Sequence, residues 1–322
     1  MILTITMNPA YDLIYWVKEI EQQGETQLSR AYRTHSSAGG KGVNVSLYLS
    51  SVGIENIAMG LIGGHTGRAI KRSLREAGAT TNLTWINDET RSNVAILRKG
   101  EEGNPIEVNS AGPEISERAL DQFLEQYETM LHRVSCVVLS GSIPPGVPKE
   151  IYNKLVKMAK KRDIRTVVNT GGEYVGPAAK AGPFLIKPDI REQKKVMGEE
   201  LTNSRSIIKV GKKILDYGTE YVLLSHGLTG DILVSKEKNW DIEANREELV
   251  VRNRVGAGDC LVGGIIYQLE EGKSVQEAVK YGLAAGMASV EVYEKIPRDA
   301  SLVQAQLEQI SLKEMGDDIN ES

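Results

Sequence analysis

The sequence predicts an α/β fold: a mainly parallel sheet covered by helices on both faces, with a second and smaller sheet attached. Three observations carry this. Short apolar runs alternate with amphipathic stretches over most of the 322 residues. The central runs, such as Val137-Val138-Leu139, are apolar without interruption, as strands buried on both faces must be. Two stretches, 11–36 and 90–109, break the alternation: they are rich in Tyr, Thr, Val and polar residues at period two and carry no helical stripe. They read as strands of a small sheet, a lid of the kind that covers a cleft.

In chain order, residues 2–6, 57–61, 134–140, 166–169, 184–186 and 221–225 read as strands of the large sheet. Between them, residues 42–51, 67–77, 116–132, 149–162 and 204–217 carry helical spacing. Apolar residues at 261, 262, 265, 266 and 269 form a stripe of period 3.6 and predict a further helix. One main domain over residues 1–312 results, and the acidic stretch 313–322 reads as a frayed tail.

Lys and Arg total 39 against 43 Asp and Glu, a net charge of −4, which gives no support for nucleic acid or an anionic membrane as the partner. Two Phe and three Trp supply no stacking platform for single strands. Cys136 and Cys260 match no metal spacing and read as free, buried thiols of a reducing cytosol. The histidines His35, His65, His132 and His226 form no His-x-x-x-His pair. The first residues have no charged segment followed by an apolar one, and no apolar run approaches ~18 residues, so neither a signal peptide nor a membrane span is expected.

The chemistry concentrates at Asn253-Arg254-Val255-Gly256-Ala257-Gly258-Asp259, directly before the apolar helix. Two glycines let the backbone turn tightly, so several N–H groups and the positive end of a helix dipole face one point. An anion developing there is stabilised without any side chain. Asp259, in the first turn, is placed to act as a base. An anion hole beside a carboxylate is what phosphoryl transfer to a hydroxyl requires. A plain turn with an Asp cap has the same local sequence. A dinucleotide fingerprint is excluded because its third glycine would fall at Leu261. A P-loop is excluded at Gly39-Gly40-Lys41-Gly42, where His35 and Gly42 occupy positions reserved for Gly and Ser or Thr.

Other polar and glycine-rich segments follow expected strands: Asn8-Pro9-Ala10-Tyr11-Asp12, Ser140-Gly141-Ser142, Lys187-Pro188-Asp189 and Ser225-His226-Gly227. Ligands of doubly wound sheets bind beyond the carboxyl ends of strands, so these segments predict one large cleft.

Taken together, Asn8-Pro9-Ala10 with Asp12, Gly39-Gly40-Lys41-Gly42-Val43-Asn44, Gly63-Gly64, Thr90-Arg91 with Asn93, Ser140-Gly141-Ser142, Lys187-Pro188 and Gly256-Ala257-Gly258-Asp259 stand in the order of a known family. Over nearly its full length the chain resembles the phosphofructokinase B group of ribokinase-like sugar kinases. The resemblance implies a three-layer α/β/α sandwich with a β-sheet lid, and ATP with Mg²⁺ as phosphoryl donor. It implies that Asp259 takes the proton of the sugar hydroxyl, while Gly256, Ala257 and Gly258 form the anion hole. Asp12 takes a position that holds sugar hydroxyls, Gly39 and Gly40 let the backbone approach the sugar closely, and Asn44 offers it both a donor and an acceptor. Lys41, Arg91, Asn93 and Ser142 suit an acceptor that already carries a phosphate, since a guanidinium matches phosphate geometry. Lys187, Ser225, Gly227, Gly230, Gly256, Gly258, Ala285 and Gly286 fall on the nucleotide side, although small residues such as Ala285 and Gly286 also suit close helix packing. Glu192 and Asp189 are the implied Mg²⁺ residues, acting through water. The lid sheets of such enzymes pair, which implies a homodimer.

The sequence departs from the family pattern at four positions. Asp189 stands where Asn is usual, Cys260 where Ser is usual, Asn169 where Asp is common, and Arg254 where a small or neutral residue is common. The Gly-Gly-Lys-Gly and Thr-Arg-x-Asn segments narrow the expected reaction to phosphorylation of a ketohexose phosphate, first fructose 1-phosphate, with tagatose 6-phosphate and fructose 6-phosphate as alternatives. An inactive sugar-phosphate or nucleotide-binding regulator is the rival from another class.

Overall fold

The computed structural model describes all residues except 24–25, 191–194, 227–228, 246–248, 298 and 316–322. The chain opens with β1 (Ile2–Thr6), and β2 (Ala10–Val17) follows at once. A short hairpin of β3 (Glu21–Gln23) and β4 (Thr26–Leu28) leads back along β5 (Ala31–Gly39) into α1 (Lys41–Ser51). Then come β6 (Asn56–Ile62), α2 (Gly64–Glu76), β7 (Thr80–Trp85), β8 (Ser92–Arg98), β9 (Ile106–Asn109) and α3 (Glu117–Met130). The middle of the chain runs β10 (Cys136–Ser140), α4 (Ile151–Lys160), β11 (Arg165–Gly171), α5 (Val175–Ala179) and β12 (Leu185–Asp189). The pair β13 (Lys195–Val196) and β14 (Glu199–Glu200) precedes α6 (Ser204–Leu215) and three strands, β15 (Tyr221–Ser225), β16 (Gly230–Val234) and β17 (Asn239–Ala244). The chain closes with α7 (Ala257–Glu270), α8 (Val275–Val290), α9 (Ala300–Glu308) and β18 (Ile310–Met315).

Ten strands form the large sheet, in the order β18-β17-β16-β15-β12-β11-β10-β1-β6-β7. From β15 to β7 every pairing is parallel, and β16, β17 and β18 extend one edge antiparallel. All six expected strands are present. Successive residues of the central strands feed opposite cores, as the pleat demands. Val137, Leu139 and Val168 pack with Phe123, Tyr127, Leu155 and Ile214 on the α3, α4 and α6 side. Cys136, Val138 and Val167 pack with Tyr48, Ile265 and Leu283 on the α1, α7 and α8 side. The result is the three-layer sandwich.

The small sheet has the order β5-β2-β8-β9 and comes from the two stretches that break the helix–strand alternation. Ile14, Trp16, Ala95 and Leu97 form its buried face and pack on Val255 and Tyr293. Its parallel β2–β8 register sets Asp12 opposite Asn93.

Three differences from the sequence expectation have physical causes. Helix α2 starts at Gly64, earlier than residue 67, because Glu89 supplies a remote cap: its carboxylate accepts from the backbone N–H groups of His65 and Thr66. Residues 313–315 are not frayed, since they lie in β18, where Lys313, Glu314 and Met315 pair with Asp241, Trp240 and Asn239. Backbone pairing at a sheet edge orders a polar segment that has little apolar area to bury. Helix α8 is an element the sequence reading passed over, although Ser274 and Glu277 form a capping box, which is a legible start signal. Among the described residues no helix is long and apolar enough to cross a membrane.

Candidate active site

The parallel strands β1, β10, β11, β12 and β15 bring their C-terminal ends to one side, where residues at or just after those ends line cavities together with Asp12 and Asn93 of the small sheet. The helices α1 and α7 both begin there. At the start of α7, Gly256 is the N-cap with φ 88°, left-handed backbone that favours glycine. Gly256, Ala257 and Gly258 line the cleft. Within the turn, however, the Ala257 N–H donates to the Arg254 carbonyl at 3.4 Å and the Asp259 N–H to the Gly256 carbonyl at 3.0 Å, so the expected anion hole falls to the N–H groups of Gly256 and Gly258.

Asp259 is 7% exposed and sits in that first turn. The Nδ2 of Asn44 donates to its Oδ2 at 2.8 Å, and the Nδ2 of Asn169 donates to its Oδ1 at 3.2 Å. Asn169 thus does something the usual Asp would not: it donates to the carboxylate instead of repelling it.

Two cavities meet at this carboxylate. The first, of about 690 Å³, lies under the small sheet and is lined by Asp12, Gly40, Lys41, Asn44, Arg91, Asn93, Ser142, Gly256 and Asp259 among others. The second, of about 480 Å³, is lined by Lys187, Asp189, Ser225, Asp231, Arg254, Gly256, Ala257, Gly258, Asp259 and Gly286 among others. Asp259, Gly256, Lys41, Asp189 and Glu107 belong to both walls. A group held in one cavity can therefore react with a group held in the other, with Asp259 between them.

In the first cavity Asp12 accepts from Asn93 Nδ2 at 3.2 Å and pairs with the ammonium of Lys295 at 2.8 Å. Gly39 does not line the cavity as expected. Its Cα faces Asp12, and a Cβ there would collide with the carboxylate, so this glycine makes room for Asp12. At the far end, Arg91 Nη2 donates to the Asn8 carbonyl at 2.9 Å and to Ser142 Oγ at 3.4 Å, while Nη1 donates to the Ser110 carbonyl. Burial pulls Arg91 below its ordinary pKa, and the nearby charge of Asp12 opposes that shift. Arg91 Nε and Asn93 Oδ1 are buried without a hydrogen-bond partner among the described residues. A half-buried cation with an unused buried donor is what an anionic ligand would relieve.

Lys41 is expected on the acceptor phosphate. The structure instead pairs its Nζ with Asp189 Oδ2 at 2.7 Å, on the wall common to both cavities. The extra charge of Asp189 over the usual Asn is balanced there.

In the second cavity, Lys187 is buried and close to the α7 turn: a Cβ on Gly258 would lie 3.8 Å from its Nζ. Ser225 Oγ donates to Asp231 at 2.5 Å, and burial raises the carboxyl pKa of Asp231 against the lowering charge of Lys187. Arg254 Nη1 donates to the Gly103 carbonyl at 3.0 Å, tying the α7 turn to the β8–β9 loop. Two expected nucleotide-side residues are not in the wall. Ala285 is fully buried, and a Cβ on Gly264 of α7 would meet it at 3.0 Å; it serves close helix packing. Gly230 lies under the His226 ring, which leaves no space for a Cβ. Gly227 and Glu192 lie outside the described residues.

Sequence reasoning missed Lys295, which is 2% exposed in the loop after α8. A single Lys in Tyr293-Glu294-Lys295 has no periodicity or motif to mark it, and alone it reads as a solvated charge.

The comparisons with known proteins bear on the whole chain. Residues 5–299 match the model of the pfkB family carbohydrate kinase. The 1-phosphofructokinase of Bacillus subtilis (strain 168) is 34% identical over 289 residues, 90% of this chain and 92% of that protein. The 1-phosphofructokinase of Borreliella burgdorferi is 30% identical over 289 residues, 90% of this chain and 91% of that one. A solved structure of a possible 1-phosphofructokinase from Thermotoga maritima superposes with a TM-score of 0.89 at 29% identity, covering 98% of this chain and 100% of that one. Phosphofructokinase-2 from Escherichia coli, solved in complex with substrates and products, gives a TM-score of 0.82 at 27% identity, covering 95% and 98%.

Proposed function

The chain belongs to the pfkB family of carbohydrate kinases, and from that premise we propose that it is a 1-phosphofructokinase. It transfers the γ-phosphoryl group of ATP to the C6 hydroxyl of fructose 1-phosphate and releases fructose 1,6-bisphosphate and ADP. The observation that carries this reading is the position of Asp259, in the wall common to two cavities and in the first turn of α7. The two 1-phosphofructokinase relatives support the choice of acceptor.

The sugar phosphate occupies the first cavity. Asp12, Asn93 and the α1 start at Gly40 hold its hydroxyls, and Arg91 with Ser142 holds the 1-phosphate. ATP occupies the second cavity, its phosphates against Lys187 and the N–H groups of Gly256 and Gly258, with Ala257 lining the turn between them. The carboxylate of Asp259 takes the C6 hydroxyl proton as that oxygen forms a bond to the γ-phosphorus and the bond to the ADP oxygen breaks. The α7 N–H groups stabilise the charge on the transferring group. Lys41 lies between the compartments, where it is placed to follow that charge. The oxygen-donor chemistry of Asp189 suits Mg²⁺, which Asp189 and Glu192 would hold through water, offsetting phosphate charge. The small sheet is the lid that excludes water from the first cavity. Tyr32 and Val108, exposed on that sheet at 49% and 61%, support pairing with the sheet of a second copy.

The test is ADP release from ATP-Mg with fructose 1-phosphate, tagatose 6-phosphate, fructose 6-phosphate and free fructose as separate acceptors. Fructose 1-phosphate is expected to give the highest kcat/KM. A preference for either 6-phosphate would reassign the acceptor, and ATP binding with no turnover on any of them would favour the regulator. Arg254→Ala is expected to raise the KM for ATP by roughly 3- to 10-fold, as loss of one phosphate-side cation should, with the acceptor KM unchanged. An unaltered ATP KM removes Arg254 from the nucleotide site.

A further inference from the structure

We propose that Lys295 is a positioning residue for phosphoryl transfer, a buried ammonium that locks Asp12 to Asp259 through the side-chain amide of Asn44. The proposal rests on the roles assigned above to Asp12 and Asp259.

Lys295 Nζ donates to Asp12 Oδ2 at 2.8 Å, to the Ala38 carbonyl at 2.6 Å and to Asn44 Oδ1 at 3.1 Å. An ammonium has three hydrogens, so all are used and none is left for a substrate. Its action is on its neighbours. With Asn44 Oδ1 held by the ammonium, the other end of the amide must face Asp259, where Nδ2 donates to Oδ2 at 2.8 Å. The flipped amide would set its carbonyl against the carboxylate and its NH₂ against the ammonium, and both contacts repel. The ammonium therefore fixes the donor that orients the base. It also places a positive charge in a buried site that holds two carboxylates, Asp12 at 7% exposure and Asp259 at 7%.

The loop that carries Lys295 is anchored independently. Asn253 Nδ2 donates to the Tyr293 carbonyl at 3.0 Å, and Cys260 Sγ donates to the Lys295 carbonyl at 3.4 Å. Tyr293 packs edge-on against Trp16 of β2 with ring centroids 5.5 Å apart. The lysine backbone thus moves with the α7 turn, while its ammonium grips β2, β5 and α1. The titratable and charged groups near it are Asp12 of β2, His35 of β5, the adjacent Glu294, and Asp259 and the Cys260 thiol of α7. Asp259 in turn shares cavity walls with Lys41, Lys187, Asp189, Asp231 and Arg254. His35 lies below its ordinary pKa through burial and then the Lys295 charge. Burial, followed by the charge of Asp259, pushes the Cys260 thiol well up, so that it stays neutral.

The test is steady-state kinetics of Lys295→Met against ATP-Mg and fructose 1-phosphate across pH. The expected result is a kcat lower by about 10- to 100-fold, the scale of a misplaced catalytic group. The sugar-phosphate KM should rise as Asp12 loses its partner, with the ATP KM within twofold of the parent. The acid limb of the kcat profile should move to higher pH, because an Asp259 without the Asn44 donor and the nearby cation holds its proton more tightly. Where Lys295→Met alone does not fold, Lys295→Met with Asp12→Asn removes both buried charges, and its acid limb is compared with that of Asp12→Asn alone. A lowered Tm with kcat, sugar KM and acid limb all unchanged would make Lys295 purely structural and overturn the proposal, as would coincident acid limbs in the second comparison. Failure of the underlying reading looks different: the parent enzyme would not turn over fructose 1-phosphate, or Asp259→Asn would be fully active.

Discussion

Asp259→Asn is expected to lower kcat on fructose 1-phosphate by about 10²- to 10⁴-fold, the range lost with a positioned general base. The substituted amide has nearly the same shape but does not accept the hydroxyl proton. The fold should tolerate the change. One of the two amide donors, Asn44 or Asn169, loses its acceptor, at a cost of about 1 kcal/mol, while removal of a buried charge offsets part of it. In a chain of this size that corresponds to a Tm within about 4 °C of the parent. Rapid-quench measurement of the chemical step beside a thermal melt checks both halves. A variant that melts normally and turns over at the parental rate would remove Asp259 from catalysis.

Arg91→Ala is expected to lower kcat/KM for fructose 1-phosphate by about 10²-fold or more, chiefly through KM, because a half-buried guanidinium–phosphate pair is lost. Arg91 also holds the Asn8 and Ser110 carbonyls, so part of any loss is mechanical. Free fructose separates the two contributions, since it carries no phosphate. If Arg91 reads the phosphate, the advantage of fructose 1-phosphate over fructose collapses. If it only braces the loop, both acceptors lose activity in the same proportion. The ATP KM should be unchanged in either case.

The residues that were legible in the sequence share one property: their chemistry is local. The Gly256–Asp259 turn places its N–H groups and its carboxylate by backbone geometry within four residues, so sequence alone predicts an anion site beside a base. The strands were readable because a run buried on both faces must be apolar throughout. Helix α2 shows the converse, since its true start depends on Glu89, distant in sequence. Gly39 was legible as a site of close approach, but its neighbour, Asp12, was not, because the contact is made across the β2–β5 pairing.

The sequence by itself determined the α/β class, the position of the reactive turn and the family to which the chain belongs, because propensity, periodicity and ordered motifs are properties of the chain. Only the tertiary structure decided which charges meet. Lys41 pairs with Asp189, a residue 148 positions away, and the ammonium of Lys295 bonds Asp12 and Asn44, with 283 and 251 positions between them. The physical reason is that electrostatic partners are chosen by distance and burial after the sheets have assembled, and a single Lys has no periodic signal to announce which carboxylate it will find.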